Sequence, residues 1–216
     1  MRLLGLDEAG RGCVLGPLVV GAFCTESGQT RLRKAGADDS KALSPERRHE
    51  VRSKLLPMGE HAVHHVSPQT IDTTNINRLE EEAFVALIVQ FRPDRVYIDA
   101  PVHPRGIPNF VARLRTRLWP ELQIVAECKA DSTHAVVGAA SIFAKVARDA
   151  EIRALGEVGS GYPHDPITRA WLRGFVDRNE PFPPCVRTRW GTIGFLRQMS
   201  LFGRTPPPTS LEGPAD

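Results

Sequence analysis

The sequence predicts a three-layer α/β fold: a five-stranded mixed sheet flanked by helices, with a helical C-terminal portion. Three observations predict it. Short apolar or alternating runs between Leu3 and Val66 suit three strands that pair with their neighbours. Two further runs, Arg95–Asp99 and Gln123–Cys128, each follow a helical stretch, the spacing of a parallel crossover. Long helical patterns, above all Ala135–Leu155, supply the covering layers.

Leu3, Leu4 and Leu6 form the first strand, a run suited to a sheet centre. It ends in Asp7 and Glu8, then in a turn built on Gly10, Arg11 and Gly12. Acids at the end of a core strand are unfavourable unless something positive sits beside them. A divalent cation with oxygen ligands is the simplest such partner. The glycines let backbone amides approach a ligand closely. Acids for a metal, with amides and a cation for an anion, point to a phosphate-bearing substrate. Asp7 and Glu8 are consecutive, so an ideal strand aims them at opposite faces. Glu8 joins the same site only if the strand has already bent into the Gly10 turn.

Val14–Cys24 reads as the second strand, and Thr25–Ala37 as a loop with a short helical turn. After Asp38–Leu43, Ser44 is a fitting N-cap with Pro45 at the first helical position, and the helix runs to about Leu56 before Pro57. Its apolar positions are sparse, which places it on the surface. Glu60–Val66 alternates as a third strand. His64 and His65 are adjacent there, so they face opposite sides and make a poor metal pair.

Asn77 opens an amphipathic helix, with Glu80 completing a capping box, and Leu79, Ala83, Phe84, Leu87, Ile88 and Phe91 recur at helical spacing as core. Pro93 ends it. Arg95–Asp99 is the next strand and again ends in an acid. Ligand sites in parallel sheets gather at the carboxyl ends of strands, so Asp7 and Asp99 are expected side by side. Ile107–Leu118 is a helix, and the strand Gln123–Cys128 leads to a third acid, Asp131. Within Ala135–Leu155, the small residues Ala135, Gly138, Ala139 and Ala140 suit close packing against the sheet or another helix. The glycines and prolines of Gly159–Pro166 mark a loop that holds Tyr162 rigidly, either as an anchor to the core or as a flat face for a ligand. Thr168–Asp177 is a short helix turning Trp171, Leu172 and Phe175 inward. The chain from Gly203 onward lacks core formers and reads as a disordered tail to a domain spanning residues 1–202.

Composition bounds the function. A net charge of +3 excludes a strongly basic nucleic-acid wrapper but allows a basic groove assembled by folding. Cys13, Cys24, Cys128 and Cys185 lack zinc-site spacing and suit free thiols. No signal-like stretch precedes Leu3, and no apolar run approaches the roughly 20 residues of a membrane span. A cytoplasmic protein is expected.

The segment Asp7-Glu8-Ala9-Gly10-Arg11-Gly12, followed by Val14-Leu15-Gly16-Pro17, resembles the N-terminal signature of the ribonuclease HII family. Asp39-Ser40-Lys41, then Cys128-Lys129-Ala130-Asp131-Ser132 with the helix after it, Gly159-Ser160-Gly161-Tyr162-Pro163 and Pro181–Trp190 resemble its later landmarks in order, over roughly residues 3 to 195. Cys13 stands where many members carry proline. The resemblance implies a ribonuclease H-like fold and four catalytic, metal-holding acids: Asp7, Glu8, Asp99 and Asp131. It implies two Mg²⁺ or Mn²⁺ ions, with Asp7 best placed to bridge them. Substrate contacts would come from Gly10, Arg11 and Gly12 at a ribose 2′-hydroxyl, from Lys41 near the backbone, and from Tyr162 on the sugar at the cleavage point. The implied reaction is hydrolysis of the RNA strand of RNA–DNA hybrids and cleavage 5′ to a ribonucleotide embedded in duplex DNA, by a monomer. Another ribonuclease H-like nuclease, or a hybrid-binding subunit of a larger complex, are the alternatives.

Overall fold

The computed structural model describes residues 1–37 and 43–202. Strand β1 (Leu3–Ala9) and strand β2 (Leu18–Thr25) are almost wholly buried. Helix α1 (Gln29–Ala35) follows, where a loop with one helical turn was expected, and stops at Gly36, whose φ of 99° few other residues tolerate. Helix α2 (Pro45–Leu55) starts as the sequence indicates: the Ser44 hydroxyl accepts the Arg47 amide and Pro45 takes the first helical position. Strand β3 (Glu60–Val66) leads into a short helix α3 (Pro68–Thr73) that the sequence reading passed over.

Helix α4 (Ile76–Phe91) corrects an expectation. Its cap is Asn75, whose side chain accepts the amides of Asn77 and Arg78, so Asn77 and Glu80 form no capping box. Strand β4 (Arg95–Asp99), helix α5 (Ile107–Arg115) and strand β5 (Gln123–Glu127) come next, leaving Cys128 outside the strand. A single-turn helix α6 (Ala130–Thr133) joins the long helix α7 (Ala135–Ala154). Helix α8 (Pro166–Asp177), capped by the Asp165 side chain, and helix α9 (Gly191–Phe202) complete the described chain.

Among the described residues the five strands form one sheet in the order β3-β2-β1-β4-β5. β1 pairs antiparallel with β2 and parallel with β4, and β5 extends the parallel half. Pleating divides β1 between two layers. Leu4 and Leu6 pack with Phe84 and Ile88 of α4 and Phe110 of α5. Leu3, on the other face, joins Val136, Ala140 and Phe143 of α7 with Leu32, Val51 and Leu55 of α1 and α2.

A second correction concerns residues 14–17, expected as the start of β2. Gly16 has φ 79°, which breaks the extended run, and Leu15 makes an isolated bridge to Val186 instead. The Gly16 amide donates to Cys185 and the Arg187 amide to Val14. Val14 and Leu15 thereby join Ile152, Leu172, Val186 and Ile193 in a separate apolar cluster beneath the C-terminal helices. The predicted tail, residues 203–216, and Lys41 lie outside the described residues.

The approach of α7 to the sheet is set by missing side chains. A Cβ on Gly5 would lie 2.0 Å from the Val136 carbonyl oxygen, and one on Gly21 would lie 2.4 Å from that of Ala140. Both obstacles are backbone, so a side chain there forces helix and sheet apart. Gly5→Ala is therefore expected to destabilise the fold by about 1–3 kcal/mol, the usual range for overpacking. A thermal or urea melt unchanged by that substitution would refute the close contact.

Candidate active site

The parallel register places the first two acids together. Leu6 lies opposite Ile98, so one residue further on Asp7 stands beside Asp99 at the carboxyl ends of β1 and β4. Asp131 arrives from α6, in the segment that links β5 to α7. Asp7, Asp99 and Asp131 each bring a carboxylate oxygen into a group whose members lie within 4.8 Å of one another. The turn is fixed by the Ala130 amide, which donates to Asp99 Oδ1 at 3.2 Å.

Glu8 lines the same cavity but stands outside that three-carboxylate group. β1 stays extended through Ala9, so the early bend that would carry Glu8 round does not occur. The two acids go to opposite faces, as pleating requires. Asp7 feels Ser141 and Lys145 of α7, whereas Glu8 feels Glu80 of α4 and Arg11. The cavity, about 300 Å³, wraps the strand end and so reaches both.

Burial governs the electrostatics. It raises the Asp7 carboxyl well above the usual range, with Glu8 adding to the effect and Lys145 opposing it. Glu8 is pushed up to about 7 by burial first, then by the charges of Glu80 and Asp99. Asp7 Oδ2 and Glu8 Oε2 are buried without a hydrogen-bond partner among the described residues. Buried carboxylate oxygens with unused acceptor capacity, on two acids that line one cavity, fit hard divalent cations with oxygen ligands such as Mg²⁺ or Mn²⁺. The donor set contains neither histidine nor cysteine, which sets zinc aside.

The Gly10–Gly12 turn forms the cavity's second wall. Gly10 has φ 84°, and a Cβ there would meet the Pro17 carbonyl oxygen at 2.8 Å. Arg187, fully buried, donates to the carbonyls of Gly10 at 2.7 Å, Arg11 at 2.9 Å and Gly16 at 3.0 Å. Tyr162 closes the wall, its ring edge 3.9 Å from the position a Gly12 Cβ would take. The Arg148 guanidinium lies 4.8 Å over that ring and donates to Cys13 Sγ at 2.7 Å. The Gly161 carbonyl accepts the amides of Val14 and Leu15, which ties the tyrosine loop to the glycine turn. Arg48 and Lys145 add positive charge at the rim.

Sequence reasoning missed Glu80, Lys145, Arg148 and Arg187. Lys145 and Arg148 are spaced with Ser141 at helical intervals on α7, a pattern that marks a polar stripe running down from its apolar first half. Nothing local signals Arg187, which reaches the turn from far along the chain.

The raised carboxyl of Glu8 has a consequence for the metal-free protein. Folding holds a proton on Glu8 that the unfolded chain releases between about pH 4.5 and about pH 7. Stability in EDTA should therefore fall as pH rises through that window, and Glu8→Gln should flatten the fall. Thermal melts across the window test this; equal slopes for the two proteins would remove Glu8 as the source. Added Mn²⁺ should restore melting temperature above pH 7 in the native protein more than in Glu8→Gln.

Comparison with known proteins bears on these features. The family model described as ribonuclease HII matches residues 4–193. Ribonuclease HII of Pyrococcus horikoshii is 42% identical over 203 residues, covering 89% of this chain and 91% of that protein. The structure of the PCNA:RNase HII complex from Archaeoglobus fulgidus aligns with a TM-score of 0.83 at 39% identity, over 94% of this chain and all of that one. Bst-RNase HIII in complex with Mn²⁺ aligns with a TM-score of 0.75 at 18% identity, over 93% of this chain and 70% of that one, a likeness of fold. The mixed sheet with its flanking helices is thus the ribonuclease H-like fold. With a family model over nearly its whole described length and such a relative across most of both chains, this chain belongs to the ribonuclease HII family.

Proposed function

We propose that this metal-dependent endoribonuclease hydrolyses the RNA strand of RNA–DNA hybrids and cuts 5′ to a ribonucleotide embedded in duplex DNA, leaving 3′-hydroxyl and 5′-phosphate ends. The observation that carries the reading is a convergence. Three carboxylates lie within 4.8 Å of one another, and two of them, Asp7 and Asp99, line a cavity with a glycine turn and with Tyr162. Asp7, Asp99 and Asp131 would hold two Mg²⁺ or Mn²⁺ ions, with Glu8 on the far side of the strand end completing their shells. When bound, such ions lower the pKa of water and neutralise charge on the phosphate and leaving oxygen.

The chain's own groups do the rest. Asp7 sits at the centre of the acids, between Asp99 on the neighbouring strand and Glu8 beside it in sequence. Lys145 donates to Ser141 at 2.7 Å and holds positive charge on the cavity side of α7, suited to a phosphate oxygen. With the Gly10 and Arg11 carbonyls held by Arg187, the amides of the turn are the groups offered to a ribose 2′-hydroxyl. That hydroxyl is the atom that separates RNA from DNA. Tyr162 stacks on the adjoining sugar, its ring held between Gly12 and Arg148. Lys41 is assigned to the nucleic-acid backbone by family resemblance alone. The enzyme acts as a single chain on these substrates.

The test is cleavage of a labelled hybrid and of a DNA duplex carrying one ribonucleotide, with Mg²⁺, Mn²⁺ or EDTA, and identification of the ends produced. Asp7→Asn and Asp99→Asn should each abolish turnover without loss of fold, since a metal-ligand charge contributes several kcal/mol to the transition state. Near-normal turnover in either variant would overturn its assignment. Tyr162→Ala should depress cleavage at a single ribonucleotide more than cleavage of a long hybrid, because one ribonucleotide offers a single register. Misplacing the phosphate by about 1 Å can cost about 100-fold. An unchanged ratio of the two rates would leave Tyr162 with an anchoring role.

A further inference from the structure

Glu80 occupies a position where an amphipathic helix should place an apolar residue. Its neighbours in α4, Leu79, Ala83 and Phe84, are core, and Glu80 itself has 0% exposure. A carboxylate buried there loses hydration and gains little from packing. Its Oε2 receives Arg11 Nη1, and its Oε1 is buried with no hydrogen-bond partner among the described residues. Asn77, one turn earlier on the same helix face, receives Arg11 Nη2 through its side-chain oxygen. Two residues of α4 thus grip two nitrogens of one guanidinium. The planar fork of arginine makes such a grip directional as well as attractive.

Arg11 is the middle residue of the glycine turn, and its backbone carbonyl is already held by Arg187. Clamped by α4 through its side chain and by Arg187 through its backbone, the Arg11 peptide has little freedom to rotate. Glycine on both sides would otherwise leave that peptide loose. A released Arg11 would also face the acids Asp7, Glu8 and Asp99, which line the same cavity and would draw the cation toward them.

We propose that Glu80 is a positioning residue for ribose recognition: by anchoring the Arg11 guanidinium to α4, it fixes the Gly10–Gly12 backbone in the orientation that reads the 2′-hydroxyl. This rests on the reading of that turn as the ribose sensor. Glu80 acts through Arg11 and touches neither substrate nor reacting atoms.

The test compares kcat/KM on a DNA duplex carrying one ribonucleotide with the inhibition constant of the same duplex in all-deoxy form, which lacks the hydroxyl. Glu80→Gln should lower kcat/KM roughly tenfold or more while leaving that inhibition constant and the melting temperature unchanged; a displacement of about 1 Å can cost up to about 100-fold. Asn77→Ala, at an exposed position, should shift the same ratio in the same direction by less, and carries the test should Glu80→Gln melt early. Arg11→Ala combined with Glu80→Gln should be no worse than Arg11→Ala alone, since the two act as one unit. Additive losses, or equal losses in kcat/KM and in affinity for the all-deoxy duplex, would overturn the proposal. Failure of the native protein to cut the ribonucleotide-containing duplex would instead overturn the functional reading, and would be seen before any substitution is made.

Discussion

The close seating of α7 on β1 and β2 is the constraint on which the rest depends. Gly5 and Gly21 remove the side chains that would keep helix and sheet apart, and the Ala-rich face of α7 fills the space without excess volume. That seating fixes more than a core. Asp131 enters just before α7, and Ser141, Lys145 and Arg148 leave it at successive turns. Each reaches the strand ends only because the helix axis lies where backbone touches backbone. A helix displaced outward by one methyl group would withdraw the positive charge from Asp7 and the cation from the Tyr162 ring together.

Electrostatics then works against the fold at this one place. Asp7, Glu8 and Glu80 all lose solvation, and each raises the pKa of at least one of the others. The sheet separates them as far as its geometry allows, with Asp7 on the α7 face and Glu8 on the α4 face. Two neighbouring cations, Lys145 and Arg11, oppose the repulsion from those two sides. Residual acceptor capacity on Asp7 and Glu8 marks where added positive charge from solution belongs. Unused acceptor oxygens on buried acids favour a bound cation there.

What the sequence made legible was local or periodic. Asp7 and Asp99 could be paired in advance because strand period and crossover direction are short-range facts, and the parallel register did bring them together. The pleat rule also separated Asp7 from Glu8, and the strand remained extended as that rule assumes. The start of β2 was misjudged because Gly16 adopts a positive φ and Leu15 finds Val186, a partner that no local pattern announces. Asn77 and Glu80 were read as a cap because their spacing fits one. Asn75 fits the cap equally well and occupies it, which frees the other two for Arg11. Short-range chemistry offered both answers, and tertiary contact chose between them.

Arg187 shows the same limit from the other end of the chain. Its segment stood out only as a family landmark, yet its guanidinium is buried and serves three backbone carbonyls. Burial lowers its pKa to about 10, still far enough above neutrality to keep the charge. A charge enclosed without a carboxylate is tolerable when carbonyl dipoles take its hydrogen bonds. Two of those carbonyls, of Gly10 and Arg11, belong to a turn that glycine alone would leave adaptable. The glycines grant close approach, and the buried arginine withdraws the freedom that comes with it. The recognition of a single hydroxyl proposed for this turn needs both, because a donor that can come near but can also turn away distinguishes nothing.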